Sequence, residues 1–111
     1  MAMKKIGRKI YMKIFSRFDN TDLTYEEAIE IYQRGNAVII DVRSPEEHKK
    51  KHIAGAINIP IYEVDNIITE IIDKEEVILL YCKTGKRSRI VKEILGNNGY
   101  KNVYTFRAVN I

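Results

Sequence analysis

VILLYCKTGKRS, residues 77–88, joins a short apolar run to a polar loop that opens with Cys82, the one cysteine in the sequence. The apolar run has the length and composition of a β-strand that is buried on both faces. The residues after the loop have helical spacing, so the loop links the carboxyl end of a strand to the amino end of a helix. Main-chain N–H groups converge at such a junction, and they stabilise an anion placed there.

The position of Cys82 predicts a reactive thiolate with a lowered pKa. Gly85 permits the backbone angles of a closed loop, and Ser88 can accept hydrogen bonds from free N–H groups where the helix begins. The loop also carries three cations, Lys83, Lys86 and Arg87. Judged alone, a single free cysteine is more often a small buried hydrophobic residue, and this role is the alternative.

The segments before the loop alternate between helix and strand. Thr24 and Glu27 form a capping box for a helix that is predicted to reach about Arg34 and to stop at Gly35. The buried face of this helix is predicted to carry Ala28, Ile31 and Tyr32. Residues 37–42 are almost continuously apolar and rich in β-branched side chains, which predicts a buried strand.

A short helix is predicted to begin at the Ser44-Pro45 cap and to end near Lys51. Residues 52–60 are predicted to form a turn with a brief strand, and residues 61–73 a helix. The apolar face of that helix is predicted to contain Ile61, Val64, Ile67, Ile68, Ile71 and Ile72.

The segment after the Cys82 loop predicts a helix that ends at residues 97–99, followed by a strand over residues 103–106. The inner face of this helix is predicted to carry Ile90, Val91, Ile94 and Leu95. Strands that alternate with helices predict a parallel sheet covered by helices on both sides. Since sites in such sheets form at the carboxyl ends of strands, Cys82 and the Asp41-Val42-Arg43 turn are expected to lie at one edge.

The length and composition are those of one globular domain. No apolar run approaches the length of a membrane span. The apolar positions near the N-terminus are interrupted by Lys9, Lys13 and Arg17, which a signal peptide would not tolerate. A lone cysteine gives no support for an oxidising compartment, so a cytoplasmic location is expected.

The net charge of +4 is unevenly distributed along the chain. Residues 1–18 carry six basic residues and no acid, whereas the remainder carries 13 basic and 15 acidic residues. The body of the domain therefore gives little support for nucleic-acid binding, and no such partner is expected.

Residues 1–20 are predicted to be a basic N-terminal extension, a helix or an arm, that precedes a domain over residues 21–111. Apolar residues recur every four positions in this extension, at Ile6, Ile10, Ile14 and Phe18. This spacing predicts an amphipathic helix with a cationic opposite face. Such a segment ordinarily packs on its domain or frays, and contact of residues 1–18 with an anionic membrane surface is the alternative.

Three segments, in this order and spacing, resemble the rhodanese family of sulfurtransferases. Residues 41–47, DVRSPEE, resemble the family's D-V-R-x-x-x-E segment, and residues 52–60, HIAGAINIP, resemble its H-I-x-G-A-x-N-I-P segment. Residues 82–88, CKTGKRS, resemble its C-x-x-G-x-R-S active loop. Residues 95–103 also resemble the family's L-x-x-x-G-[FY]-x-x-V pattern, so the likeness covers roughly residues 22–106.

The resemblance implies an α/β fold of three layers, with helices on both faces of a central parallel sheet of four or five short strands. It implies that Cys82 is catalytic and carries a sulfane sulfur as a persulfide. A small anionic donor such as thiosulfate would supply the sulfur, and a thiol or cyanide would accept it. The residues expected to bind the substrate are Lys83, Thr84, Gly85, Lys86, Arg87 and Ser88. No cofactor is expected.

Four residues separate Cys82 from Arg87, whereas the related phosphatases have five. The tighter loop suits one sulfur atom better than a phosphate ester. Arg87 is either an anion binder or a structural clamp that pairs with an acid at the neighbouring strand end. The clamp is favoured because a planar guanidinium holds a loop well through two parallel hydrogen bonds. Asp41 and Arg43 are expected to brace the site.

His48 and His52 have no third ligand nearby in the sequence, so no metal site is expected. The family usually adds a Gly-rich turn and a closing helix after its last strand, and residues 107–111 do not contain them. An uncovered apolar patch there would favour self-association into a homo-oligomer. The alternative function is a non-catalytic rhodanese-like module that binds a partner through the basic N-terminal extension.

Overall fold

Four parallel strands form the centre of the fold in the computed structural model, which describes residues 22–111. The strands are β1 (Ala37–Asp41), β2 (Ile57–Asn58), β3 (Val77–Tyr81) and β4 (Asn102–Thr105). The helices are α1 (Tyr25–Gln33), α2 (Pro45–Lys50), α3 (Val64–Glu70) and α4 (Lys86–Asn97), with a 3₁₀ turn over Ile61–Glu63 before α3. The predicted extension over residues 1–20 lies outside the described residues.

The order of strands in the sheet is β2-β1-β3-β4, so the chain moves outward in opposite directions from the central pair. β1 and β3 pair along five residues, and Asp41 lies opposite Tyr81 at their carboxyl ends. A crevice forms outside a parallel sheet at the point where the strand order reverses. The two segments that follow β1 and β3 therefore meet at the place where this fold forms its sites.

Alternating residues of β3 contact opposite sides of the sheet. Val77, Leu79 and Tyr81 belong to a buried cluster with α1, whereas Ile78 and Leu80 belong to a second cluster with α3 and α4. Every residue of β3 is buried, because helices cover both faces. The predicted three-layer α/β/α fold with a parallel sheet is confirmed.

Local sequence signals account for where the first two helices begin. Thr24 and Glu27 form a complete capping box at α1, and Ser44 and Glu47 form a second one at α2. Helix α1 ends at Gln33 and the chain turns through Gly35, whose φ is 93°. Tyr32 is only partly buried, because it packs at the margin of the first cluster.

Two predictions about apolar helix faces are wrong. Helix α3 ends at Glu70, and Ile72 is 81% exposed, because residues 73–76 turn back toward β3 around the carboxylate and carbonyl of Asp73. On α4, Ile90 is 47% exposed. The buried stripe runs through Val91 and Leu95, and Ile90 is rotated about 100° from Val91 on a helix.

The described residues that follow β4, 106–111, are not helical, and Ala108 and Ile111 pack against the first cluster. The predicted domain boundaries remain a prediction. None of the helices within residues 22–111 combines the length and apolar character needed to cross a membrane.

Candidate active site

Cys82 follows β3 directly and is 2% exposed. Two main-chain amides point at its sulfur: the Gly85 N–H donates to Sγ at 3.1 Å, and the Ser88 N–H at 3.4 Å. Gly85 lies just before α4 with a φ of 96°, a left-handed conformation that residues with a Cβ rarely adopt. The sulfur therefore lies within a turn of backbone dipoles at the amino end of a twelve-residue helix.

The Ser88 hydroxyl is the nearest side-chain partner of the sulfur. Sγ of Cys82 donates to Ser88 Oγ at 3.5 Å, and Ser88 Oγ donates in turn to the Gly85 carbonyl at 3.1 Å. Ser88 is completely buried. When the thiol loses its proton, the same hydroxyl can turn and donate to the thiolate, because a serine hydroxyl rotates freely between donor and acceptor roles.

The pKa of the Cys82 thiol lies below its ordinary value. Burial alone raises this pKa, but hydrogen bonds from the Ser88 side chain and from the amides of Ser88, Gly85 and Arg87 lower it by more. The direction is the one predicted from the sequence. The main-chain amides act as predicted from their convergence at this junction. The bond from the Ser88 side chain was not predicted, and the charges of the loop cations are not among the main causes that lower this pKa.

Arg87 acts as a clamp between the Cys82 loop and helix α2. Its guanidinium donates from Nη1 to Glu47 Oε1 at 2.7 Å and from Nη2 to Oε2 at 3.1 Å. The same Glu47 carboxylate completes the capping box of α2 by accepting from the Ser44 N–H at 3.0 Å. The side chain of Arg87 therefore pairs with Glu47, and its main-chain amide hydrogen-bonds to the Cys82 sulfur.

Asp41 and Arg43 form a buried ion pair at the end of β1. Asp41 Oδ1 accepts from the Arg43 Nε at 2.9 Å, and Oδ2 accepts from Nη2 at 2.7 Å. Nη2 also donates to the Lys51 carbonyl at 2.6 Å. Burial raises the pKa of the Asp41 carboxyl, but hydrogen bonds from Arg43 and His48 outweigh it, and the pKa is lowered.

Tyr81 links this ion pair to the strand that carries the cysteine, and the sequence analysis missed it. Its hydroxyl donates to Asp41 Oδ2 at 3.0 Å and accepts from the Ile53 N–H at 3.1 Å. Burial raises the pKa of Tyr81 to about 12, so the phenol stays protonated. The sequence does contain a signal for this role, because Tyr81 ends an otherwise aliphatic strand and a buried tyrosine hydroxyl needs a hydrogen-bond partner.

Three more supporting residues were missed: Glu47, His48 and Asn58. His48 Nδ1 lies 2.9 Å from Asp41 Oδ2, and the Asn58 amide donates to the carbonyls of Asp41 and Arg43 at 2.9 and 3.0 Å. Asn58 thereby joins the edge strand β2 to the turn after β1. Each of these residues lies within a segment that the sequence analysis identified, but none carried a predicted role.

Among the predicted substrate-binding residues, Gly85 and Ser88 contact the sulfur, whereas Lys83, Thr84 and Lys86 are exposed. The rings of His48 and His52 stack with centroids 3.7 Å apart. Within residues 22–111, no group of three His, Cys, Asp or Glu side chains could hold a metal ion.

Comparison with known proteins agrees with this geometry. A family model described as the Rhodanese-like domain matches residues 24–107. The chain is 46% identical over 65 residues to the thiosulfate sulfurtransferase PspE of Escherichia coli strain K12, an alignment that covers 58% of this chain and 62% of PspE. It is 32% identical over 83 residues to the thiosulfate sulfurtransferase GlpE of Coxiella burnetii, covering 75% and 77% of the two chains.

Solved structures show the same fold. A rhodanese from E. coli, solved with anions, is 42% identical and superimposes with a TM-score of 0.58 over 65% of this chain and 84% of that one. The human single-domain sulfurtransferase TSTD1 superimposes with a TM-score of 0.67 over 77% and 87% of the two chains. At 23% identity, that second likeness shows the fold alone.

Proposed function

Since this chain belongs to the rhodanese-like domain family, we propose that it is a sulfurtransferase in which Cys82 carries one sulfur atom between a donor and an acceptor. The observation that supports this most directly is the pair of amides on the cysteine sulfur, from Gly85 and Ser88. Two relatives that align with most of this domain are named thiosulfate sulfurtransferases. Thiosulfate is accordingly the donor we propose.

In the first half-reaction the Cys82 thiolate attacks the outer sulfur of thiosulfate. A bond forms between Sγ and that sulfur, the sulfur–sulfur bond of thiosulfate breaks, and sulfite leaves with the bonding electron pair. The enzyme keeps a persulfide with one negative charge, so charge and atoms balance. The lowered pKa of Cys82 raises the fraction of thiolate present before the donor arrives, which lessens the need for a general base.

In the second half-reaction a thiophilic acceptor attacks the outer sulfur of the persulfide. Cyanide would leave as thiocyanate, and the electron pair of the broken bond returns to Sγ as the thiolate. Since the 111 residues contain one cysteine, a second thiol of the same sequence cannot serve as acceptor. We therefore propose a thiol from outside these 111 residues, or cyanide, as the acceptor.

The backbone of the loop can stabilise the anion at every stage of this cycle. The thiolate, the transition state and the persulfide all carry negative charge within the turn that Gly85 and Ser88 form around Sγ. Such amides are oriented before the reaction begins, so little reorganisation is needed when charge develops. The Arg87–Glu47 clamp supports the same turn from outside.

The test is intact-protein mass spectrometry after incubation with thiosulfate, followed by addition of cyanide. We expect the wild type to gain one sulfur atom and then to lose it as thiocyanate. Cys82→Ser should gain none while unfolding at the same denaturant concentration as the wild type. A native wild-type protein that gains no sulfur would instead support the non-catalytic binding module.

A further inference from the structure

Arg89 lies in the first turn of α4, against the backbone of the residue that holds the sulfur. A Cβ placed on Gly85 would come 3.2 Å from Arg89 Nη2 and 3.4 Å from its Cζ. The Gly85 N–H is itself 3.1 Å from Cys82 Sγ, so the guanidinium lies beside a residue that contacts the sulfur. A side chain at position 85 would crowd the guanidinium and make it shift slightly.

The other arginines near the site are engaged by carboxylates. Arg43 makes two side-chain bonds to buried Asp41, and Arg87 makes two to Glu47. These pairs neutralise their charges within the scaffold. Arg89 differs from both, because its side chain is 57% exposed and its ion pair with Asp22 is a single contact of 3.5 Å.

Asp22 is itself held in place against β4, and its contact with Arg89 does not enclose the guanidinium. Asp22 Oδ1 accepts a hydrogen bond from Thr105 Oγ1 on β4, and Leu23 N–H donates to the Thr105 carbonyl at 2.8 Å. Asp22 Oδ2 faces Arg89 Nη2. A guanidinium carries five N–H donors in a fixed plane, so one long contact leaves most of them for another anion.

An open cleft of about 360 Å³ begins beside Arg89 and runs along α4. Its lining residues are Arg89, Lys92, Glu93, Gly96, Asn97 and Thr105. The cleft gives a small anion from solvent a route to the guanidinium. Arg89 thus combines closeness to the sulfur-binding turn with a positive charge that solvent can reach.

We propose that Arg89 is the specificity residue that binds the anionic portion of the sulfur donor and stabilises the leaving group. This inference rests on the proposed sulfurtransferase function and names a group that selects its donor. When the sulfur–sulfur bond of thiosulfate breaks, the electron pair and the charge move to the departing sulfite. A guanidinium matches the oxygen atoms of such an oxyanion through two parallel hydrogen bonds.

The first test compares Arg89→Gln, Arg89→Lys and the control Lys101→Gln in single-turnover sulfur loading by thiosulfate. The Lys101 side chain is 70% exposed and precedes β4, at the end of that strand opposite Thr105. Its replacement by Gln removes the same unit of charge. We expect the second-order rate constant of loading by thiosulfate to fall about tenfold in Arg89→Gln, as for loss of a hydrogen bond to a charged group. Arg89→Lys should restore part of the rate. A decrease no greater than that of Lys101→Gln would overturn the proposal.

The second test does not depend on sulfur transfer. Iodoacetate and iodoacetamide alkylate the same thiolate with the same leaving group, but only iodoacetate is an anion. We expect the rate constant for iodoacetate divided by that for iodoacetamide to fall several-fold in Arg89→Gln and to stay constant in Lys101→Gln. A change in the thiol pKa would move both rates together and leave the ratio unaltered.

Asp22→Asn separates anion binding from a purely structural role of the Asp22–Arg89 pair. If Arg89 binds the donor, loss of its ion pair with Asp22 should leave the ratio of the iodoacetate and iodoacetamide rate constants unchanged or raise it. If the pair merely holds the loop, Asp22→Asn should behave like Arg89→Gln, and the proposal fails. A wild type that gains no sulfur from thiosulfate, yet shows the Arg89-dependent ratio, would overturn the proposed function and still support the anion site.

Discussion

The turn after β1 and the loop after β3 lie side by side at one edge of the sheet, yet they are held together differently. In the turn, Asp41 and Arg43 satisfy one another inside the protein, with Tyr81 and His48 completing the carboxylate's hydrogen bonds. In the loop, main-chain amides donate hydrogen bonds to the Cys82 sulfur.

The difference shows how one edge of a sheet can be both rigid and reactive. Charges on the β1 side are neutralised in pairs, so they support the structure and leave nothing to bind a substrate. Dipoles on the β3 side are directed at a single atom whose charge changes during the reaction. The Arg87–Glu47 clamp joins the two sides, because Glu47 belongs to α2 and Arg87 to α4.

Removing the charge on the β1 side should give the largest effect on stability. Asp41→Asn keeps the size of the side chain but leaves Arg43 buried without its counter-ion, so we expect a loss of about 3–5 kcal/mol in the free energy of unfolding. Urea denaturation measures it. Glu75→Gln breaks the exposed pair with Lys101 and should cost well under about 1 kcal/mol. A loss of similar size in both variants would contradict the comparison.

A substitution on the β3 side should affect activity more than stability. Gly85→Ala places a Cβ on a residue with φ of 96°, which costs about 1–2 kcal/mol. It disturbs the amide that donates to Cys82 and also crowds the Arg89 guanidinium. We expect sulfur loading to slow about tenfold or more, as when one aligned donor is lost from an anion site.

Gly99→Ala is the matched control for that variant. Gly99 has a φ of 91°, and a Cβ there would meet no atom within 4 Å. Both variants should lose a similar amount of stability in urea, whereas Gly99→Ala should load sulfur at the wild-type rate. Equal slowing in the two variants would mean that activity follows stability rather than the amide on the sulfur.

The clamp between the two sides should have the smallest effect, and one that depends on pH. Hydrogen bonds from Arg87 hold the pKa of Glu47 at about 2, below its ordinary 4.5. Since the folded-state pKa is depressed, the stabilisation is complete above pH 4.5 and is lost as the pH falls toward 2. Both side chains are one-third exposed, so solvent screening limits the contribution to about 1 kcal/mol.

Glu47→Gln should therefore lose about 1 kcal/mol of stability at neutral pH and approach the wild type near pH 3. Urea denaturation at the two pH values measures this. Glu46→Gln removes a neighbouring acid from the same first turn of α2 and serves as the control. A deficit in Glu47→Gln that is unchanged between the two pH values would rule out the ion pair as its cause.

The elements of the fold and the identity of the nucleophile could be predicted because their signals are local. The capping boxes at Thr24 and Ser44 each span four residues, and the apolar run of β3 spans five. The predictions for Ile72 and Ile90 were wrong because both residues continue an apolar pattern in the sequence but do not pack against the sheet. Helical periodicity alone cannot say which of two adjacent apolar residues faces the sheet.

The amino-acid sequence alone established the alternating strands and helices, the loop that carries Cys82 and the family to which the chain belongs. The partners of the charged residues were decided by the folded chain. Glu47 lies forty residues before Arg87, and Asp22 lies far from Arg89 in sequence. Hydrophobic period and capping act over a few residues, whereas these ion pairs depend on the register and order of strands that bring distant segments together.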